Sequence, residues 1–304
     1  MPSTITHTFI GLNTLNKLNN NPKMIINNHI DNYKVYCQNM DVLYFYHIFL
    51  LHENKIQKLG HLFHKENVYN YFEMLINDNK NNKDLELFTF ISGLITHYIA
   101  DSYMHPFIDF LAHNEIRIKQ IDKHFEIETY IDNYFINKYI TDNYKKYNNS
   151  KFIFNYSKEK IIKEELDKLF KKFWNYNNMG NLYYKSLKEM HFVFNYIRHD
   201  NYGIKKFFYK IIDLNPFNIR RCKYLSYNFN LDNDNYYLNL DHNKWFNYNK
   251  KTLTSNKSFL ELMIDVENKS AFIINNLYEY IFNDKNIDLK ELIGNNSYAS
   301  GLPL

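Results

Sequence analysis

Two histidine–carboxylate cassettes at helical spacing constrain this chain more than any other feature. The first is His97-x3-Asp101-x3-His105, within GLITHYIADSYMHPF; the second is His124-x3-Glu128, within DKHFEIETYID. Side chains four apart lie on one helix face, about 40° round from each other. Each cassette therefore aims imidazole nitrogen and carboxylate oxygen at one place, the donor mixture that suits a zinc-class divalent cation. His97 and Asp101 share their face with Leu87, Phe90 and Leu94, and Glu128 shares its face with Ile131 and Phe135. Lys123, Glu126 and Asn133 fall on the other side of the second helix, which reads as solvated. A buried carboxylate needs a charge partner or a metal, and no Lys or Arg lies one turn away on either apolar stripe. Ordinary core histidines paired with carboxylates are the plainer reading of one cassette, but two on consecutive helices favour metal.

Counting donors extends the inference. His97 and His105 are eight residues apart, roughly 12 Å along the axis, too far to share one ion, while Asp101 reaches either. Together with His124 and Glu128 they exceed one tetrahedral zinc site, so a multinuclear cluster bridged by Asp101 is expected. His7 on the buried side of a first helix, His64 (with His61 as its rival) and Asp41, ahead of an aromatic run, are further candidates.

The rest of the chain reads as helices. Apolar residues recur every three or four positions from Ile5 to Leu18, with Pro22 in NNNPK closing that helix. A central helix covers 85–104 and is expected to stop at Pro106, whose ring blocks continuation. Others are expected at 114–146, 158–174, 182–197 and 258–282, whereas 200–256 is irregular. Only 7 Gly and 5 Pro among 304 residues disfavour a turn-dense β fold. The expected architecture is an all-α, single-domain bundle of seven to nine helices with a buried multinuclear metal cleft over 1–284, and a loose tail over 285–304.

Charge is nearly balanced, 37 basic against 33 acidic residues, so a polyanion-binding face is not demanded and no specific nucleic acid is expected. Cys37 and Cys222 are too few for a disulfide framework. Neither a signal peptide nor a run of ~20 apolar residues is present, which implies a cytoplasmic protein.

The pieces PSTITHTF, NMDVLYFY, LGHLFHKENVYNYF, FISGLITHYIADSYMHPFID, HFEIETYID and YYLNLDHNKWFNYNKKTLTSNKSFLEL resemble the bacterial zinc-dependent phospholipase C family, and more distantly the three-zinc single-strand nucleases. The resemblance implies three zinc ions. His64 and His97 would hold one, Asp101 would bridge it to a second held by His7, and His105, His124 and Glu128 would hold the third. Asp41 would stand beside the cluster as general base or water orienter. The amino-terminal amine, a ligand in exported relatives, would be that of Pro2 once Met1 is removed. Asp132 would orient His124, and Asp241, His242 and Trp245 would pack beside the site. The implied activity is cleavage of a phospholipid or other phosphodiester by a metal-activated water, with transient membrane-surface contact. A nuclease and a non-catalytic zinc-stabilised scaffold are the rival readings. A His-Asp phosphohydrolase fits poorly, because His199-Asp200 stands alone, and di-iron chemistry lacks its Glu-x-x-His pairs.

Overall fold

A computed structural model describes residues 4–49, 53–113, 120–214, 222–228 and 230–304. In chain order these form α1 (Thr4–Leu15), α2 (Asn20–Asn28), α3 (Ile30–Tyr36), a 3-10 segment (Asn39–Phe45), α4 (Lys55–Phe63), α5 (Val68–Asn82), α6 (Leu85–His113) and α7 (Gln120–Tyr139). Then come α8 (Ser150–Ile153), α9 (Lys160–Trp174), α10 (Met179–Phe192), which runs on as a π-helical turn (Val193–Arg198), α11 (Ile204–Ile212) and α12 (Asp234–Leu238). A hairpin of β1 (Trp245–Asn247) and β2 (Lys250–Ser255) precedes α13 (Phe259–Phe282) and α14 (Leu289–Ile293). The architecture is all-α apart from that hairpin, as the periodicity implies. Among the described residues the helices are more numerous than the seven to nine expected, several being of one or two turns.

The axis of the molecule is α6. Every residue from Glu86 to Ser102 is buried, so this stretch has no solvated face, and α1, α3, α5, α7 and α13 pack around the helix. Its hydroxyls cost nothing in the interior because Ser92 Oγ donates to Phe88 O at 2.8 Å and Thr96 Oγ1 to Ser92 O at 2.9 Å. Gly93 lets α3 approach: a Cβ there would lie 2.5 Å from Tyr36 Cβ and 2.8 Å from Tyr36 C.

Four sequence expectations are corrected. Pro106 lies inside α6, which continues to His113. Proline deprives only the Ser102 carbonyl of its helical partner. The chain near Gly301, at φ +64°, closes over that spot so tightly that a Cβ would sit 2.2 Å from Ser102 O. Pro22 occupies the first turn of α2 rather than a closing turn, a position where the missing N–H is harmless. The presumed loose tail is packed: Ser297 N donates to Leu302 O at 2.8 Å, Asn296 N to Tyr98 OH at 2.8 Å, and Tyr298 is buried. Lys123 and Asn133 on α7 are buried, not solvated. The Lys123 ammonium lies 3.0 Å from Glu126 Oε1 and under the rings of Tyr236 and Tyr237, while Asn133 Nδ2 donates to Tyr227 O. The start of the expected 114–146 helix falls outside the described residues before Gln120; the described helix ends at Tyr139.

Candidate metal centre

Four segments converge beside the middle of α6. The buried amino end of α1 is held by Asp132 of α7, whose carboxylate accepts Ile5 N at 3.3 Å, Thr6 N at 2.9 Å and Thr6 Oγ1 at 2.9 Å. An anion at a helix amino terminus satisfies orphan N–H groups and complements the dipole. This fixes His7, so Asp132 serves α1 and not His124 as expected. Asp41 enters from the 3-10 segment, His64 from the end of α4, and His97, Asp101 and His105 from α6; His124 and Glu128 come from α7.

The donors meet in three groups, within each of which ligand atoms lie inside 4.8 Å of one another: Asp41, His64 and His97; His7, His97 and Asp101; His105, His124 and Glu128. Asp101 stands between them. Its Oδ2 is 3.2 Å from His97 Nε2, and its Oδ1 is 3.3 Å from His7 Nε2 and 3.6 Å from His105 Nε2. Asp41 places Oδ1 3.3 Å from His64 Nε2 and Oδ2 3.6 Å from His97 Nε2, inside the cluster rather than beside it. Glu128 Oε1 lies 2.9 Å from His124 Nε2 and 4.0 Å from His105 Nε2. Pro2 lies outside the described residues.

A second ring of contacts turns the imidazoles inward. His64 Nδ1 faces Gly60 O at 2.7 Å, His97 Nδ1 faces Cys37 O at 2.9 Å, and His105 Nδ1 faces Tyr298 O at 2.9 Å. A carbonyl oxygen only accepts, so each of these Nδ1 atoms carries the hydrogen, and in the neutral ring Nε2 presents a lone pair. His124 Nδ1 lies 3.3 Å from Asp109 Oδ1, the carboxylate–histidine pairing that steadies metal ligands. Burial, reinforced by neighbouring His97, pushes the His64 pKa down to about 3, so that ring is neutral. Its Nε2 lone pair then points at a carboxylate oxygen. His64 Nε2, His97 Nε2 and Asp41 Oδ2 are buried without a hydrogen bond. A cation between them would satisfy all three, and the nitrogen–oxygen donor set fits zinc.

The charges of the metal-free chain follow. Burial raises Asp41 to about 7, against the pull of His97. For Asp101 burial works upward but is outweighed by His105 and His97, which hold it well below the usual carboxylate range. Burial would lower His124, yet the Glu128 charge and Asp109 raise it to about 9. Glu128 is lowered, the His124 charge outweighing burial.

Sequence reasoning missed Asp109, Tyr298 and the Cys37 carbonyl. Asp109 continues the four-residue ladder of 97, 101 and 105, a signal that was there to be read. Tyr298 left none: its ring stands edge-on to His64 at 4.6 Å, and its hydroxyl bonds Tyr71 OH and accepts from Asn39 Nδ2 at 3.2 Å. Asp241, His242 and Trp245 lie outside the three groups. Trp245 Nε1 donates to Lys257 O at 2.9 Å with its ring 5.5 Å from Phe107, and His242 Nδ1 lies 3.3 Å from Glu261 Oε2. Asp241 Oδ1 accepts from Asn235 Nδ2 at 3.1 Å.

No curated protein and no solved structure matches the chain. The family model for zinc dependent phospholipase C matches residues 6–186, more than half of the chain and a span that contains every residue of the three groups. The chain belongs to the zinc-dependent phospholipase C family.

Proposed function

We propose that this protein cleaves a phospholipid at the glycerol side of its phosphate, with three zinc ions held by His7, Asp41, His64, His97, Asp101, His105, His124 and Glu128. Family membership supports a zinc-dependent phosphodiester hydrolase at the coarser level. The observation that carries the reading is the inward lone pair of neutral His64 facing Asp41, repeated by the His97 and His105 rings that their carbonyl acceptors lock in place.

Bound zinc supplies Lewis-acid charge that makes water nucleophilic near neutral pH and offsets charge building on phosphate oxygens. The residues divide the remaining work. Asp101 joins the His7, His97 and His105 positions into one unit, so the groups cannot drift apart. Asp41, with Oδ1 3.3 Å from His64 Nε2, offers Oδ2 as acceptor for the proton of the attacking water. Asp109 and the Tyr298 carbonyl hold the hydrogens of His124 and His105 away from substrate. Thr6, Ile10, Met104, Ile108 and Phe259 line the adjoining cavity, whose walls are mostly apolar and restrict water.

The test pits a short-chain phosphatidylcholine against single-stranded DNA, each with zinc-loaded and chelated protein. Zinc-dependent release of diacylglycerol with intact DNA is expected. Cleavage of DNA alone would make the protein a nuclease, and three bound zinc ions with no hydrolysis of either would make it a scaffold.

A further inference from the structure

Helix α11 is inverted relative to the rest of the fold. Ile204, Phe207, Phe208, Ile211 and Ile212 recur at i, i+3, i+4, i+7 and i+8 and so form one stripe. Such a stripe normally faces the core. Here none of the five is buried; their exposures run from 48% at Ile211 to 62% at Phe207. The polar side attaches the helix instead. Asp200 accepts Lys205 N at 3.2 Å and Lys206 N at 2.8 Å, Lys205 Nζ donates to Tyr196 O at 2.7 Å and His199 O at 2.6 Å, and Tyr209 OH donates to Ile197 O at 3.0 Å. The helix is therefore built to present its apolar side outward.

The surroundings indicate what covers it. Lys205 and Lys206 turn inward, Lys206 Nζ donating to Asn228 O, so the exposed bases beside the stripe are Lys210 and Lys146, whose Nζ stands 6.0 Å from the ring of exposed Tyr202. The two acids of this stretch, Asp200 and Asp213, face backbone amides, Asp213 Oδ1 accepting Cys222 N at 2.6 Å. The segment that anchors the helix carries exposed aromatics of its own: the Tyr196 and Phe192 rings are 5.0 Å apart, and Phe192 and Phe49 are 6.3 Å apart. Apolar stripe, aromatic border and basic rim are together the composition of a segment that lies in the boundary between lipid headgroups and acyl chains. No helix among the described residues is long and apolar enough to cross a membrane, so contact through this face is peripheral.

We infer that α11, with the adjoining Tyr196–Phe192–Phe49 surface, docks the protein on an anionic phospholipid bilayer. The stripe enters the headgroup layer, and Lys210 and Lys146 meet lipid phosphates. The choice of lipid over a second protein rests on the phospholipid reading above together with the basic rim.

The experiment uses the full zinc-loaded chain in co-sedimentation with large vesicles, either pure phosphatidylcholine or phosphatidylcholine mixed with phosphatidylglycerol. Wild type is compared with Phe207→Ser/Ile211→Ser, both exposed sites, and with Lys210→Glu. Wild type is expected to partition onto the anionic vesicles, more weakly at high salt. The double variant should bind about tenfold less or weaker, and Lys210→Glu should lose the preference for anionic vesicles. Both variants should keep wild-type turnover of monomeric short-chain phosphatidylcholine. Equal partitioning of wild type and double variant, or none by wild type, overturns the inference. So does a wild-type dimer in light scattering that the double variant dissociates, which would assign the stripe to a second copy. If the catalytic reading is what fails, hydrolysis is absent in every protein while vesicle partitioning still reports on α11.

Discussion

Asp109→Asn tests whether the contacts behind the imidazoles do what the geometry implies. The substitution keeps the shape and one oxygen beside His124 Nδ1, 3.3 Å away in the wild type, and removes only the charge. Carboxylates that steady a ligating histidine typically contribute 10–100-fold in metal affinity, or about 1.4–2.7 kcal/mol at 1.36 kcal/mol per decade. Asp109 is partly solvated, with its side chain 20% exposed, and solvent screening places the effect near the lower end. The expectation is roughly tenfold weaker binding of one zinc, that of His105, His124 and Glu128, with the other two unchanged. Titrating zinc-loaded protein with a chromogenic chelator of known affinity resolves the three steps. Unchanged affinity at all three, or equal weakening of all three, would refute the assignment of Asp109 to this one group.

Three further outcomes follow from the same geometry. Asp101→Ala removes the carboxylate between His7, His97 and His105, so zinc content should fall by at least one ion per chain and phosphodiesterase turnover should be lost, as elemental analysis and a short-chain lipid assay would read. Gly93→Ala drives a methyl into the Tyr36 backbone one residue before the Cys37 carbonyl that holds His97; about 1–3 kcal/mol of stability should be lost in urea denaturation, with weaker zinc binding. In the metal-free chain the His124 pKa, about 9, lies above its unfolded value of ~6.5, so its contribution is full below pH ~6.5 and is lost as pH rises through 9. Asp41, raised to about 7, loses its contribution earlier, as pH rises from ~3.9 through 7, so most of the higher window belongs to His124. Zinc replaces the His124 proton, so the melting-temperature gap between loaded and chelated protein should widen from pH 6.5 to 9; a constant gap would contradict the His124 assignment.

The donors on α6 and α7 were legible because four-residue spacing on an amphipathic helix converts directly into a shared face. Reading Pro106 as a terminator hid Asp109, which continues the same ladder: ring closure removes one N–H but does not forbid a helix whose freed carbonyl is covered from outside, here by the chain at Gly301. Asp132 pointed the wrong way because spacing gives an angle on its own helix and says nothing of what packs there; in the fold it meets the amino end of α1. Lys123 and Asn133 are polar but not exposed, because Tyr236 and Tyr237 cover the first and Tyr227 O accepts from the second. Tyr298 lies 193 residues from His105, in a segment of Asn, Ser and Gly with no periodicity, and only tertiary packing brings its carbonyl to the ring.

Three zinc ions shared by buried nitrogen lone pairs and carboxylates would be visible in anomalous diffraction at the zinc edge from crystals grown with zinc. Three peaks are expected, one within each of the groups Asp41–His64–His97, His7–His97–Asp101 and His105–His124–Glu128. If no peak falls between His64 Nε2 and Asp41 while the rings still face inward, those donors hold no zinc.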